Sequence, residues 1–194
     1  SSDLCRLGMI YLSDKVRNYN DKRKGKQPMI KIDDWVIEKG EKAQGKIEIV
    51  GRGMAMPATV ICGAEDGPTI LITAGIHSAE YVGIQAAMEL AKEFQPEELK
   101  GNVIIIPLVN VSGFEHRTMS MVYEDGKNLN RVFPGNPEGT AAECIACTIV
   151  RKLFSITDYY IDLHSGDGYE QLHPYVYYVG VVDEDTVEKS LHMA

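Results

Sequence analysis

The strongest constraint on the fold is an abrupt change of hydrophobic pattern within residues 69–94. The segment begins with the apolar run Ile70, Leu71 and Ile72, which is typical of a buried strand. After Gly75 the apolar residues recur every three or four positions, as they do in an amphipathic helix. The point where a parallel strand leads into a helix is where open α/β sheets place their ligands. The sequence therefore predicts an α/β fold with a site near the end of this strand.

Further strands and helices are predicted on both sides of this segment. Residues 43–50 and 54–62 read as a hairpin, because a glycine-containing turn separates two strand-like runs. A second apolar strand follows the helix, and a strand, helix and strand in this order should give two parallel strands. This second strand is predicted at 103–109. The remaining predicted elements are strands at 158–163 and 174–182 and helices at 140–154 and 183–193, the last with Asp183 as N-cap.

Two regions of the chain show no such regular pattern. Residues 1–42 are polar and irregular, and we interpret them as an N-terminal extension of a domain that spans residues 43–194. Residues 110–138 are rich in Gly, Asn and Pro, and a polar loop of that length in a compact domain is usually functional.

The composition excludes several classes of protein. With 194 residues and 44% hydrophobic residues, the chain can bury the core of one substantial domain. A net charge of −8 argues against nucleic-acid binding, which demands a basic surface. The sequence has no stretch of ~18 apolar residues and no signal-peptide pattern, so we expect no membrane contact and a cytoplasmic location. The one basic run, at 22–26, is expected to be a solvated loop.

Histidine and glutamate side chains occur where the predicted strands end. His77 and Glu80 lie three residues apart, and on a first helical turn they would share one face. His164 follows the strand at 158–163 in the same way. Because two strand ends can lie side by side at one edge of a sheet, these side chains would form a His₂Glu site with a fourth position open for water. That ligand set is typical of a catalytic zinc rather than a structural one.

Further polar residues lie close to these positions in the sequence. Asp162 is on the same side of its strand as His164, where it either orients a metal-bound imidazole or pairs with a basic group. In an extended stretch, Asn128 and Asn130 would lie together, and Arg131 offers a planar fork for a carboxylate. The alternative for this stretch is a polar surface turn.

The four cysteines do not suggest a second metal site. Cys144 and Cys147 have the spacing of a redox or zinc motif, but they lie in a helical segment without a second Cys or His pair. We therefore expect them to be small reduced residues on a helix in a reducing compartment.

Three motifs together resemble one protein family. They are Gly75-Ile-His77-Ser-Ala-Glu80, Asp125-Gly-Lys-Asn-Leu-Asn130-Arg131-Val-Phe-Pro-Gly135 and Asp162-Leu-His164-Ser-Gly166. The same motifs occur in this order, at similar intervals, in the succinylglutamate desuccinylase/aspartoacylase family of the zinc carboxypeptidase-like superfamily. The resemblance covers residues 43–182 and implies a mixed, largely parallel sheet with helices on both faces, in three α/β/α layers.

The resemblance also implies roles for individual residues. His77, Glu80 and His164 would bind Zn²⁺, and Asn130 and Arg131 would hold the carboxylate of the substrate. A further arginine of the family helps to polarise the scissile carbonyl, and Arg117 is the nearest candidate.

Two features depart from the family's pattern. Zinc carboxypeptidases often have Asp at the position of Asn128, where the carboxylate bonds to the first His ligand. The general-base Glu of the family lies on a strand well after the second His ligand, so we expect it beyond residue 194. The domain as given is therefore expected to be incomplete at its C-terminus.

The function implied is zinc-dependent hydrolysis of an amide or ester bond, with an N-acyl amino acid as the expected substrate. One alternative is a zinc carboxypeptidase acting on peptides, and another is a metal- or carboxylate-binding domain without catalysis. The expected partner is a small anionic substrate, and assembly into a homo-oligomer is left open.

Overall fold

The computed structural model describes residues 8–11, 29–178, 180 and 182–194. Its strands are β1 (Gly8–Tyr11), β2 (Ile30–Ile32), β3 (Trp35–Ile37), β4 (Lys42–Glu48), β5 (Ala55–Cys62), β6 (Glu65–Ala74), β7 (Lys100–Ile106), β8 (Tyr159–Leu163) and β9 (Val176–Tyr177). Its α-helices are α1 (Tyr81–Glu93), α2 (Val111–His116), α3 (Ala141–Thr148) and α4 (Glu184–Met193). The basic run at 22–26 and Cys5 lie outside the described residues.

A mixed sheet forms the centre of the described fold, with the strand order β4-β5-β7-β6-β8-β1-β9. Its three inner strands, β7, β6 and β8, are mutually parallel, as a strand-helix-strand unit requires. The hairpin β4–β5 joins antiparallel to β7, and β1 pairs antiparallel with β8 and parallel with β9. The predicted α/β fold with a mixed sheet is confirmed.

Apolar side chains alternate along the inner strands and so create two cores. Leu71 and Ile104 face α3, whereas Ile72 and Ile105 face the small residues of α1. The two helices therefore cover opposite faces of the sheet, as predicted.

Residues before position 42 also contribute to this structure. Ile30, Ile32 and Ile37 are buried in the same core as α3, and β1 hydrogen-bonds within the main sheet. The division of the chain at residue 42 stays a prediction.

Several boundaries differ from those predicted. The polar segment 110–138 contains α2, because the side chain of Asn110 accepts a hydrogen bond from the Gly113 N–H and so starts a helix. The last predicted strand shortens to β9. Asp183 does cap α4, since its side chain accepts from the Thr186 N–H. Among the described helices, none is long and apolar enough to cross a membrane.

Candidate metal centre

His77 and Glu80 lie on a tight turn between β6 and α1. The Glu80 N–H donates to the His77 carbonyl at 3.2 Å, and α1 begins only at Tyr81. The prediction that both residues lie on the first helical turn is therefore wrong, because a separate turn precedes the helix. Glu80 is the N-cap residue of α1, but its side chain makes no capping hydrogen bond. Its carboxylate is directed into the site instead.

His164 reaches the same place because β6 and β8 are adjacent and parallel. Ala74 pairs with Leu163 at the ends of these strands, so the residues that follow them lie side by side. Gly83 of α1 packs against this edge, and a Cβ built on it would lie 3.0 Å from the Leu163 carbonyl oxygen. The absence of a side chain at position 83 lets the start of α1 approach the end of β8.

The three predicted ligands meet in one cluster. The Nδ1 atom of His77 lies 2.8 Å from Oε1 of Glu80, and the Nδ1 atom of His164 lies 2.8 Å from Oε2. All the ligand atoms lie within 4.8 Å of one another, and the two imidazole rings meet edge to face with centroids 5.1 Å apart. The carboxylate of Glu80 is buried and also accepts the Ser165 N–H at 3.0 Å.

The outer nitrogen of each imidazole has its own partner. Nε2 of His77 lies 3.2 Å from Oδ1 of Asn128, and Nε2 of His164 lies 2.8 Å from Oδ2 of Asp162. Of the two roles predicted for Asp162, the structure shows the contact with the imidazole. Each Nε2 faces an acceptor, so it carries the proton when Nδ1 offers its lone pair.

Charge complementarity within the cluster shifts two pKa values. Burial alone would raise the pKa of Glu80, but hydrogen bonds from His164 and His77 outweigh it and lower that pKa to about 2. Burial alone would lower the pKa of His164, but hydrogen bonds to Asp162 and Glu80 raise it to about 10. Both pKa shifts favour the charged form, the carboxylate at Glu80 and the imidazolium at His164.

The chemistry of these donors fits the zinc ion that the resemblance implies. Two imidazole nitrogens and one carboxylate, with ligand atoms within 4.8 Å of one another, form the protein ligand set of many catalytic zinc sites. Metal-bound histidines almost always donate their other N–H to a carboxylate or carbonyl oxygen, and both histidines here have such a partner. His77, Glu80 and His164 can therefore hold a metal ion.

The turn that carries the candidate substrate residues is connected to this cluster through Asn128. Oδ1 of Asn128 accepts the Asn130 N–H at 2.9 Å and starts the 3₁₀ turn Leu129–Arg131. Asn130 is partly buried, while Arg131 is exposed and donates to the Asn130 carbonyl at 3.1 Å. Asn128 therefore links this turn directly to His77.

Arg117 lies on the other loop beside the cluster. It is exposed, ends α2 and has a left-handed φ of 56°. Its loop is attached to the metal-site turn through Ser78, whose N–H and hydroxyl both donate to the Met119 carbonyl, at 2.8 and 2.7 Å. The described hydrogen bonds of Arg117 involve its backbone N–H, so a role in polarising a carbonyl stays a prediction.

Sequence reasoning missed several residues that support the cluster. Ser165 and Ser78 act through hydrogen bonds to Glu80 and to the Arg117 loop, and the polar alternation around the strand ends is too weak a signal to select them. Cys144 and Cys147 are buried free thiols of α3, on the face of the sheet opposite α1.

Comparisons with known proteins agree with this geometry. The sequence-family model of the succinylglutamate desuccinylase/aspartoacylase catalytic domain matches residues 66–188 of this chain. The chain belongs to this family. Over 132 residues it is 41% identical to N-alpha-acetyl-L-2,4-diaminobutyric acid deacetylase of Halomonas elongata, an alignment that covers 67% of this chain and 35% of that protein.

Solved structures of related proteins share the fold. A succinylglutamate desuccinylase/aspartoacylase from Rhodobacter sphaeroides has a TM-score of 0.60 at 30% identity, covering 68% of this chain and 42% of that one. The product-bound ectoine utilization protein EutE (DoeB) from Ruegeria pomeroyi has a TM-score of 0.61 at 32% identity, covering 73% and 44%. The chain thus spans about a third of the length of the curated relative and less than half of these structures.

Proposed function

We propose that this chain carries the metal-binding part of a zinc-dependent hydrolase that removes the acyl group from an N-acyl amino acid. The observation that carries the proposal is the convergence of two Nδ1 atoms on the two oxygens of Glu80, each at 2.8 Å. The relatives support amide hydrolysis, since one is named as a deacetylase of an N-acetylated amino acid.

The ligands would be His77, Glu80 and His164. When bound at such a site, zinc lowers the pKa of a water molecule to about 7 and polarises the acyl carbonyl. The cluster itself supplies one negative charge from Glu80, and with a metal bound the acceptors at the outer nitrogens would hold both imidazoles in the tautomer whose Nδ1 is unprotonated. This fixes the direction in which each lone pair points.

The substrate would be held by the neighbouring turn. Arg131 is exposed, so its guanidinium is accessible to a carboxylate from solvent, and Asn130 offers amide donors beside it. On a chain with a net charge of −8, a local positive group also favours the approach of an anion. We propose that Arg117 donates to the acyl oxygen from the opposite loop.

Metal content gives the first test. Protein purified without chelators is expected to contain close to one zinc per chain, and His164→Ala should lose most of it because one of three ligands is gone. His192→Ala is the matched control, since that imidazole lies exposed on α4. Full zinc content in His164→Ala would overturn the ligand assignment.

Arg131→Lys gives the second test, because lysine keeps the charge but loses the planar fork. In the full-length enzyme, losing a charge-assisted pair of this kind should cost about 1.5–3 kcal/mol, or roughly a 10- to 150-fold fall in kcat/KM on N-acetyl amino acids. For matched substrates in which an amide replaces the free carboxylate, kcat/KM should fall much less.

Arg151→Lys serves as the control, because Arg151 is exposed on the segment after α3. An equal fall on both substrate types would show that Arg131 has a structural role and would remove the support for an N-acyl amino acid.

A further inference from the structure

A line of buried hydrogen bonds extends from His164 into the core of the sheet. Oδ2 of Asp162 lies 2.8 Å from Nε2 of His164, and Oδ1 of the same carboxylate accepts the Thr73 hydroxyl at 2.6 Å. The Thr73 hydroxyl in turn lies 2.8 Å from the hydroxyl of Tyr160. The polar line therefore runs from Tyr160 through Thr73 and Asp162 to the imidazole.

The direction of these hydrogen bonds follows from the proton count. A threonine hydroxyl has one proton, and here it is donated to Asp162. Thr73 must therefore accept from Tyr160, whose hydroxyl donates. Both oxygens of the Asp162 carboxylate are thus engaged, one by Thr73 and the other by His164.

The sheet fixes the positions of all three residues. Thr73 pairs directly with Asp162 across the parallel strands β6 and β8, and Tyr160 lies two residues earlier on the same face of β8. All three are at least 93% buried, and the Tyr160 ring packs against Phe154 with centroids 4.9 Å apart. The hydroxyls therefore have little freedom to reorient.

Core packing alone does not require these hydroxyls. Valine has nearly the shape of threonine and phenylalanine that of tyrosine, so apolar residues could fill the same space. Replacing Thr73 would, however, leave Oδ1 of the buried Asp162 carboxylate without its donor. What apolar side chains cannot do is orient a carboxylate.

We propose that Thr73 and Tyr160 are positioning residues for the metal centre: they hold the Asp162 carboxylate so that it orients His164 with Nδ1 directed at the metal. The proposal rests on the proposed zinc site. Each residue lies two positions before one of the three motifs and outside it, and the hydrogen bonds described above lead from Tyr160 to Thr73 and from Thr73 to Asp162. Their effect passes through Asp162.

The test is zinc affinity, measured by competition with a chromogenic chelator, for purified wild-type protein and the variants Thr73→Val and Tyr160→Phe. Thr73→Val should weaken zinc binding about 10-fold, within the range for lost outer partners of a metal ligand, and Tyr160→Phe about 3-fold. Thr73→Ser, which keeps the hydroxyl, should retain wild-type affinity. The melting temperature of each metal-free protein reports stability separately.

A double variant separates a connected line from two unrelated contacts. Because Tyr160 acts through Thr73, Thr73→Val combined with Tyr160→Phe should lose no more affinity than Thr73→Val alone. The matched control is Thr69→Val, which removes a buried hydroxyl of the same strand that accepts from Asn102 at 3.1 Å. It should change stability and leave zinc affinity unchanged.

Each outcome bears on a different claim. If Thr73→Val kept wild-type zinc affinity while His164→Ala lost zinc, the positioning role would be wrong and the proposed zinc site would stand. Additive losses in the double variant would overturn the action of Tyr160 through Thr73. If Thr73→Val failed to fold, the other two variants would test the proposal. Wild-type zinc affinity in Tyr160→Phe, or a loss of zinc affinity in Thr73→Ser, would contradict it. Wild-type protein that bound no zinc would overturn both proposals.

Discussion

The two histidines of the candidate metal centre present the same atom to Glu80 but have different hydrogen-bond partners at their outer nitrogens. Nε2 of His164 contacts the carboxylate of Asp162 on the inner strand β8, whereas Nε2 of His77 contacts the neutral amide of Asn128 on a long loop. Solvent exposure does not distinguish them, because their side chains are 15% and 17% exposed. The difference lies in the charge of the partner and in the rigidity of its backbone.

This contrast assigns different tasks to the two sides. The His164 side is part of the sheet, where Thr73 and Asp162 are paired across adjacent strands. On the His77 side, Oδ1 of Asn128 also accepts the Asn130 N–H, so the same atom contacts the ligand and the candidate substrate turn. We infer that the sheet side supplies affinity for the metal and that the loop side connects the metal to the substrate.

Asp162→Ala should have the largest effect on this arrangement. It leaves the Nε2–H of His164 without its acceptor in a buried place, so zinc affinity should fall about 100-fold, the upper end of the range for such partners. Chelator competition measures it. Asp158→Ala is the control, because Asp158 accepts the Thr69 N–H just before β8 and is away from the ligands. Equal losses in both variants would contradict a specific role for Asp162.

Asn128→Ala should weaken zinc binding less, by about 10-fold, because a neutral hydrogen bond at 3.2 Å is lost rather than a charged one. It should also raise KM for the substrate, since the Asn130 N–H loses its partner and the turn that carries Arg131 loosens. Steady-state kinetics with saturating zinc measure the second effect. Asn136→Ala, which removes another Asn-capped turn in the loop after Arg131, should change neither quantity.

Asn128→Asp makes the two sides alike and should have the smallest effect. A carboxylate accepts the His77 Nε2–H in a charge-assisted hydrogen bond, so zinc binding should tighten about 3-fold. The aspartate can still accept the Asn130 N–H, so KM should stay close to the wild-type value. If affinity stayed the same or fell, the loop backbone rather than the partner's charge would account for the difference between the two sides.

The cluster of candidate ligands and its neighbours Asp162 and Asn128 could be predicted from the sequence, while Thr73 and Tyr160 could not. His77 and His164 follow apolar runs, and parallel strand ends converge, so local pattern and topology suffice to bring them together. Thr73 and Tyr160 are ordinary strand residues whose role depends on the register of β6 against β8. Register is a property of the paired sheet, and neither strand encodes it alone.

The fold shows the same division between local and long-range information. The helix cap at Asp183 and the β4–β5 hairpin follow from neighbouring residues and are confirmed. The predicted start of α1 was too early, since the helix begins at Tyr81. The turn that holds His77 and Glu80 is instead stabilised by contacts with Ser165, just after β8, and with the loop at Met119. Such contacts join residues more than 40 positions apart, where hydrophobic periodicity carries no information.

Gly83 has no side chain, and this allows two elements of the candidate metal centre to lie close together. Helix α1 carries Glu80 at its start, β8 ends one residue before His164, and the gap between them is filled by backbone alone, since even one methyl group would lie 3.0 Å from the Leu163 carbonyl oxygen. An added carbon would force the helix or the Leu163 backbone to shift by a few tenths of an ångström. The lack of a side chain at position 83 therefore limits how far apart α1 and β8 must lie, and with them the candidate ligands Glu80 and His164.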